Sequence, residues 1–151
     1  MTNQLPSDRQ LEKLLNQCKQ IAGYREIAGA CLFGARAGGY GNEKSGIYVL
    51  LVIKNYPSRL MVYPRPFEGL NAFFLVVDCG LFEADVEQGI IGEIVAEKIM
   101  LPYKPIIGAE FFWRQEVKLK KRTVWEILEN LVLQYPEMSH EFLIKPEYFM
   151  Y

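Results

Sequence analysis

The sequence predicts an α/β protein with a mixed sheet of about four strands flanked by helices. Apolar residues recur at helical spacing near the start of the chain and again in its second half. Between these regions lie short apolar runs rich in β-branched residues, which are typical of buried strands. With 151 residues, half of them hydrophobic, we expect one globular domain. The expected strands cover residues 28–33, 47–53, 59–63 and 71–78.

The first helix is expected over residues 8–22. Ser7 and Gln10 fit a capping box at its start, and Gly23 is placed to end it. The apolar positions that share one helical face are Leu11, Leu14, Leu15, Cys18, Ile21 and Ala22. This face should therefore pack against the sheet.

The second half of the chain is expected to be mainly helical. Apolar spacing predicts a helix over 86–100, a loop over 101–108 and a helix over 111–119. Thr123 and Glu126 fit a second capping box, which opens a helix ending near Tyr135. We therefore divide the chain into a core, 1–100, and a helical extension, 101–151, that packs on it.

Composition narrows the classes of partner and the compartment. The formal net charge of −1 gives no basic field, so nucleic acid is an unlikely partner. The widely spaced Cys18, Cys31 and Cys79 indicate reduced thiols rather than disulfides or a zinc site. No signal peptide or long apolar span is recognisable, so we expect a cytoplasmic protein without a membrane partner.

The stretch 30–53 is the most informative part of the sequence. A short apolar strand leads into a turn with four glycines between Gly34 and Gly41, and a second apolar strand follows. Glycine tolerates positive φ and lets a ligand approach the backbone. Consecutive N–H groups in such a turn can form a concavity that binds anions.

This stretch resembles the signature of the nucleotidyltransferase superfamily, the fold of DNA polymerase beta and kanamycin nucleotidyltransferase. The family signature has Gly-Ser, ten residues, and then Asp-x-Asp. Here the first pair falls on Gly34 and Ala35, and the two aspartate positions fall on Gly46 and Tyr48. The residues that fit the pattern are Gly34, Arg36, Ala37, Gly39, Ser45, Leu50, Leu51 and Val52. The chain also resembles archaeal proteins with an amino-terminal domain of this type.

The resemblance covers about residues 8–100 and implies a nucleotidyltransferase-like fold. It also implies that Gly34, Ala35, Arg36, Gly38 and Gly39 are the positions at which phosphate or nucleotide would bind. In active members two carboxylates hold the divalent cations of an in-line displacement. Gly46 and Tyr48 cannot replace them, and Ala35 lacks the serine hydroxyl.

Three functions follow as alternatives. The favoured one is a noncatalytic binding or scaffold module with at most weak affinity for nucleotide or phosphate, no catalytic residues and no cofactor. The second is an active, Mg²⁺-dependent nucleotidyltransferase with displaced carboxylates such as Glu43 and Asp78. Asp78 is otherwise expected to be a strand-end cap. The third is an interaction domain without a ligand, which binds a protein partner or a second copy through its C-terminal helices.

Other features favour structural interpretations. Lys118, Lys120, Lys121 and Arg122 form a basic cluster that we expect to be a solvated helix end. His140, the single histidine, is expected at the surface. Tyr40 and Tyr48 flank the expected pocket, where they would either stack on a base or fill the space left by a lost nucleotide.

Overall fold

The computed structural model describes residues 6–42 and 45–137. It confirms the α/β class and contains a five-stranded mixed sheet in the order β3-β4-β2-β1-β5, one strand more than expected. The strands are β1 (Ile27–Phe33), β2 (Ile47–Ile53), β3 (Leu60–Phe67), β4 (Leu70–Asp78) and β5 (Lys104–Ile107). The helices are α1 (Asp8–Ala22), α2 (Cys79–Gln88) and α3 (Ala109–Gln134), with a short 3₁₀ helix at Ala96–Ile99.

Strand β2 lies at the centre of the sheet. It pairs antiparallel with β1 and parallel with β4. Alternate residues of β2 point to opposite faces of the sheet. Val49 and Leu51 belong to the hydrophobic cluster on the α1 face, whereas Leu50 and Val52 belong to the cluster shared with α2 and α3. Burial on both faces explains the continuously apolar sequence of this strand.

Helix α1 forms as the sequence predicts. The Ser7 hydroxyl accepts a hydrogen bond from the N–H of Gln10, and the Gln10 side chain accepts one from the N–H of Ser7. Leu14, Cys18 and Ala22 are buried against the sheet, and the helix ends at Gly23. The capping box and the stripe of apolar residues therefore both predict this one helix.

The expected helix over 86–100 is wrong. Helix α2 ends at Gly89, which has φ +62°, and the chain then turns through Gly92 at φ +71°. The buried carboxylate of Asp85 holds this turn by accepting hydrogen bonds from four backbone N–H groups. The donors are Ile91 and Glu93 on one oxygen (3.1 and 3.0 Å), and Val95 and Ala96 on the other (3.2 and 3.0 Å).

Two further expectations for the second half need correction. The region 101–108 contains strand β5, which pairs antiparallel with β1 at the sheet edge. The two helices expected over 111–119 and from Thr123 are one helix, α3. Thr123 donates its hydroxyl proton to the carbonyl of Leu119 inside that helix and caps nothing.

The basic cluster lies in the middle of α3 and not at a helix end. Lys118 pairs with Glu87, Lys120 with Glu116, and Arg122 with Glu93 and Glu126. The cluster therefore braces α3 and its neighbours. His140 and the apolar C-terminal tail lie outside the described residues.

Candidate functional site

The glycine-rich turn begins where β1 ends. Gly34 and Gly39 have φ of +79° and +78°, which confirms that the turn uses left-handed conformations at glycine. The N–H groups of Ala37 and Gly38 both donate to the carbonyl of Gly34 at 3.0 Å, and the N–H of Tyr40 donates to Ala35 at 3.1 Å. These three donors are used within the turn, which reduces what it can offer to a phosphate.

Arg36 closes the loop. Its side chain is largely buried, and its Nε donates to the carbonyl of Ser45 at 2.9 Å. Ser45 in turn contacts Asn42, whose N–H donates to the serine hydroxyl oxygen at 2.9 Å. A Cβ on Gly41 would lie 3.2 Å from the Arg36 backbone, so the two ends of the loop are close together. Arg36 thus has a bracing role besides any contact with a ligand.

Tyr48 is the central side chain of the site. In the sheet register it lies beside Phe33 of β1 and Phe73 of β4. Its ring centroid is 5.8 Å from that of Phe33 and 5.6 Å from that of Phe73, with the latter pair stacked at 19°. The three rings form an aromatic row across adjacent strands, and Tyr48 remains 41% exposed.

The ring of Tyr48 covers Gly46. A Cβ on Gly46 would lie 3.2 Å from the Tyr48 ring and from its hydroxyl oxygen. A Cβ on Gly34 would lie 3.5 Å from the same ring. Tyr48 therefore lies over the start of β2 and beside the glycine-rich turn, where a side chain at position 46 would otherwise project.

Depressions lie on both sides of Tyr48. One, of about 690 Å³, is lined by Gly46, Asn71 and Phe73 together with the β3–β4 turn. The other, of about 290 Å³, is lined by Phe33, Gly34, Glu97, Lys98 and Leu101. Lys98 Nζ lies 5.7 Å from the centre of the Phe33 ring, within cation–π range. The tyrosine ring thus lies between these two depressions.

Asp78 lies elsewhere. It pairs with Ile53 at the far end of β4, five residues beyond Phe73, or about 17 Å along the strand. Its carboxylate caps α2 by accepting from Gly80 (3.0 Å) and Leu81 (3.3 Å), and it also accepts from the N–H of Tyr56 (2.8 Å). The structure does not bring Asp78 close to positions 46 and 48. Glu43 lies outside the described residues.

A third depression, of about 550 Å³, has Asp78 in its lining. Its lining includes an ion pair between Glu26 and Lys54 at 2.6 Å and the thiol of Cys79. Burial raises the pKa of the Cys79 thiol to about 11, so the thiol is protonated at neutral pH and is a poor nucleophile. Cys79 is partly exposed, unlike the buried Cys18 and Cys31, and all three are free.

Within 6–42 and 45–137, no group of three or more His, Cys, Asp or Glu side chains is placed to hold a metal ion. In that part of the chain, no helix has both the length and the apolar character needed to cross a bilayer.

Sequence reasoning identified Tyr48 but missed its neighbours. Phe33 and Phe73 join the site only through the strand register, because each ends up opposite Tyr48. Lys98 and Leu101 lie beside Phe33 because the hydrogen bonds to the Asp85 carboxylate turn the segment after α2 back towards the sheet. The sequence signal that could have located this segment is the pair Gly89 and Gly92, which breaks the helical pattern.

No family model matches the sequence, and no curated protein matches it.

Proposed function

We propose that this chain is a degenerate nucleotidyltransferase-like domain that acts as a noncatalytic binding or scaffold module. Its affinity for nucleotide or phosphate is at most weak. The observation that carries the proposal is the position of Tyr48, whose ring covers Gly46 at the two places where the family pattern has carboxylates. The family assignment itself rests on the pattern Gly34-x-Arg36-Ala37 and the ten-residue spacing to Gly46.

Loss of both carboxylates removes the chemistry that the family reaction needs. Two aspartates on one face of a strand hold cations that stabilise the attacking and leaving oxygens. A glycine contributes no ligand, and a neutral phenol is a poor substitute for a carboxylate at Mg²⁺. The neighbouring position on β4 is Phe73, another apolar ring. Neither strand therefore supplies a carboxylate at this place; the nearest polar side chain of β4 is the neutral amide of Asn71.

The second alternative, an active enzyme with displaced carboxylates, has less support. Asp78 is about 17 Å along β4 from the row and is occupied with capping α2. Its hydrogen bonds to Gly80, Leu81 and Tyr56 account for both oxygens. A cation bound there would have to displace these bonds.

The aromatic row favours a planar ligand over an isolated phosphate. The turn uses its amides at Ala37, Gly38 and Tyr40 internally, whereas the Tyr48 face is 41% exposed. Stacking on one aromatic ring contributes about 1–3 kcal/mol per base. Without a metal to neutralise the triphosphate, we expect dissociation constants for ATP no better than about 1 mM, or roughly −4 kcal/mol.

Titration of the ¹⁵N-labelled protein with ATP, with and without MgCl₂, tests this proposal. We expect shifts confined to the turn and the start of β2, an affinity no better than about millimolar, and no gain from Mg²⁺. Tyr24→Ala is the matched control, because that tyrosine is 90% exposed and lies far from the row. Micromolar binding that is lost in Tyr48→Ala and kept in Tyr24→Ala would identify a nucleotide sensor and overturn the scaffold proposal.

A further inference from the structure

Helix α3 carries a regular row of side chains that faces away from the sheet. Four residues of the helix are buried: Phe112, Gln115 and Leu119, which mark the face that packs on the protein core, and Val132 near its C-terminal end. On another side, positions spaced alternately four and three residues apart are apolar with one exception. This α3 row consists of Trp113, Val117, Lys120, Val124, Ile127 and Leu131.

The α3 row is open to solvent. Trp113 is 62% exposed, Val124 54% and Ile127 60%, while Val117 and Leu131 are half-buried. A row of exposed apolar side chains on one helix face is a mark of an interaction surface. The alternating spacing of four and three averages 3.5 residues, which is the period of a coiled-coil seam.

We propose that the α3 row is the seam of an antiparallel two-helix coiled coil between two copies of this chain. The 26-residue helix is about 39 Å long, enough for several layers of side chains. A 3.5-residue period matches another helix with the same period, such as α3 of a second copy, because each side chain of the row fits between four side chains of the facing helix. That property favours a second copy as the occupant over a globular partner with an unrelated surface.

Lys120 determines the orientation. In a parallel pair the same position of both helices shares one layer, so two Lys120 ammonium groups would face each other in the seam. In an antiparallel pair each Lys120 lies opposite an apolar member of the row and extends its amine to Glu116, with which it already pairs. Charge repulsion therefore selects the antiparallel arrangement.

The area that the row can bury is small. Five apolar side chains, about half exposed, offer on the order of 500 Å² per copy, or about 1,000 Å² in total, which is near the lower limit for a specific interface. A polar residue in the seam also lowers stability while fixing register. We therefore expect a dimer with a dissociation constant of about 1–100 μM, which is mostly dissociated at nanomolar concentration.

Sedimentation velocity of the full chain from about 1 to 300 μM tests the proposal. We expect a monomer–dimer equilibrium that Ile127→Lys shifts towards monomer by at least tenfold in the dissociation constant. Leu133→Lys is the matched control on the same helix, since Leu133 is 70% exposed but lies off the row. Lys120→Leu, which completes the apolar seam, is expected to tighten the dimer at least tenfold.

Circular dichroism of each variant checks that the helix content is unchanged, so that loss of the dimer is not loss of the fold. A protein that stays monomeric up to 300 μM overturns the proposal. In that case residues 138–151 or another protein would be the remaining candidates to pack on the α3 row. A dimer that responds equally to Ile127→Lys and Leu133→Lys, or is weakened by Lys120→Leu, overturns it as well. None of these results depends on whether the domain binds a nucleotide.

Discussion

Replacing Asp85 by asparagine should destabilise the protein strongly. Each carboxylate oxygen accepts two backbone N–H groups at 3.0–3.2 Å, and the residue is fully buried at the base of the segment that borders the aromatic row. Asparagine keeps one oxygen, but its NH₂ group then faces two N–H donors. Two hydrogen bonds are therefore lost, and the remaining two no longer involve a charged acceptor.

The magnitude follows from the count of bonds. Hydrogen bonds to a charged group are worth about 1.5–3 kcal/mol and neutral ones about 0.5–1.5, so losing two and weakening two costs about 5–9 kcal/mol. The substitution also removes the desolvation cost of a buried carboxylate, and this gain offsets part of the loss. We therefore expect the free energy of unfolding to fall by about 3 kcal/mol in total. For a chain of this size that corresponds to a fall in melting temperature of about 6–12 °C.

Urea unfolding of Asp85→Asn and wild type measures this loss. Glu87→Gln is the control on the same helix, because Glu87 makes only an exposed ion pair with Lys118 and should change stability by less than about 1 kcal/mol. Hydrogen exchange at the amides of Val95 and Ala96 should also accelerate in Asp85→Asn. If the two variants unfold at the same urea concentration, the carboxylate does not hold this segment as described.

Three other changes test the backbone and the core. Gly34→Ala should lower the free energy of unfolding by more than about 1 kcal/mol, since φ is +79°; an unchanged melting temperature would contradict this. Gly108→Ala should lower the free energy of unfolding in urea by at least about 2 kcal/mol more than Gly69→Ala. Both glycines have positive φ, but only the new Cβ at position 108 would lie 2.5 Å from a backbone oxygen. Equal losses in the two variants would refute this reasoning. Burial raises the pKa of the Cys18 thiol from 9.0 to about 12. The buried thiol therefore makes its full contribution to the free energy of unfolding below pH 9, and this contribution is lost as the pH rises towards 12. The stability of Cys18→Ala should fall less steeply over that range, by up to about 1.4 kcal/mol per pH unit; parallel curves would exclude this linkage.

The first half of the fold was predictable because its local signals agree with its packing. The capping box at Ser7 and the apolar stripe of α1 specify one helix, and the run 47–53 specifies a strand buried on both faces. Strand β3 was predicted too short. It continues through Pro64 and Pro66, which an edge strand tolerates because one side of its backbone need not pair.

The second half of the fold was predicted less well because its secondary structure depends on tertiary contacts. The four residues of β5 are too few to show a period and include Pro105, so only their pairing with β1 makes them a strand. The fold of the segment after α2 depends on the buried Asp85, whose role no local pattern reveals. For the candidate site, sequence located the turn and Tyr48, whereas the partners Phe33 and Phe73 required the register.

We propose that Gly46 and Tyr48 occupy the positions of a lost carboxylate pair. Titration of the double variant Gly46→Asp/Tyr48→Asp with Mn²⁺, followed by calorimetry, tests it most directly. Both changes are needed together, because a Cβ at position 46 would lie 3.2 Å from the tyrosine ring. The uncharged control is Gly46→Asn/Tyr48→Asn.

We predict one Mn²⁺ site in the folded aspartate variant, and no comparable binding in the asparagine control or in the wild type. Two carboxylates two residues apart at the start of β2 supply negatively charged oxygen ligands, whereas the asparagine control offers only neutral amide oxygens and the wild type only a neutral phenol. Stoichiometric Mn²⁺ binding by the wild type, or a folded aspartate variant that binds no better than the asparagine control, would contradict the claim.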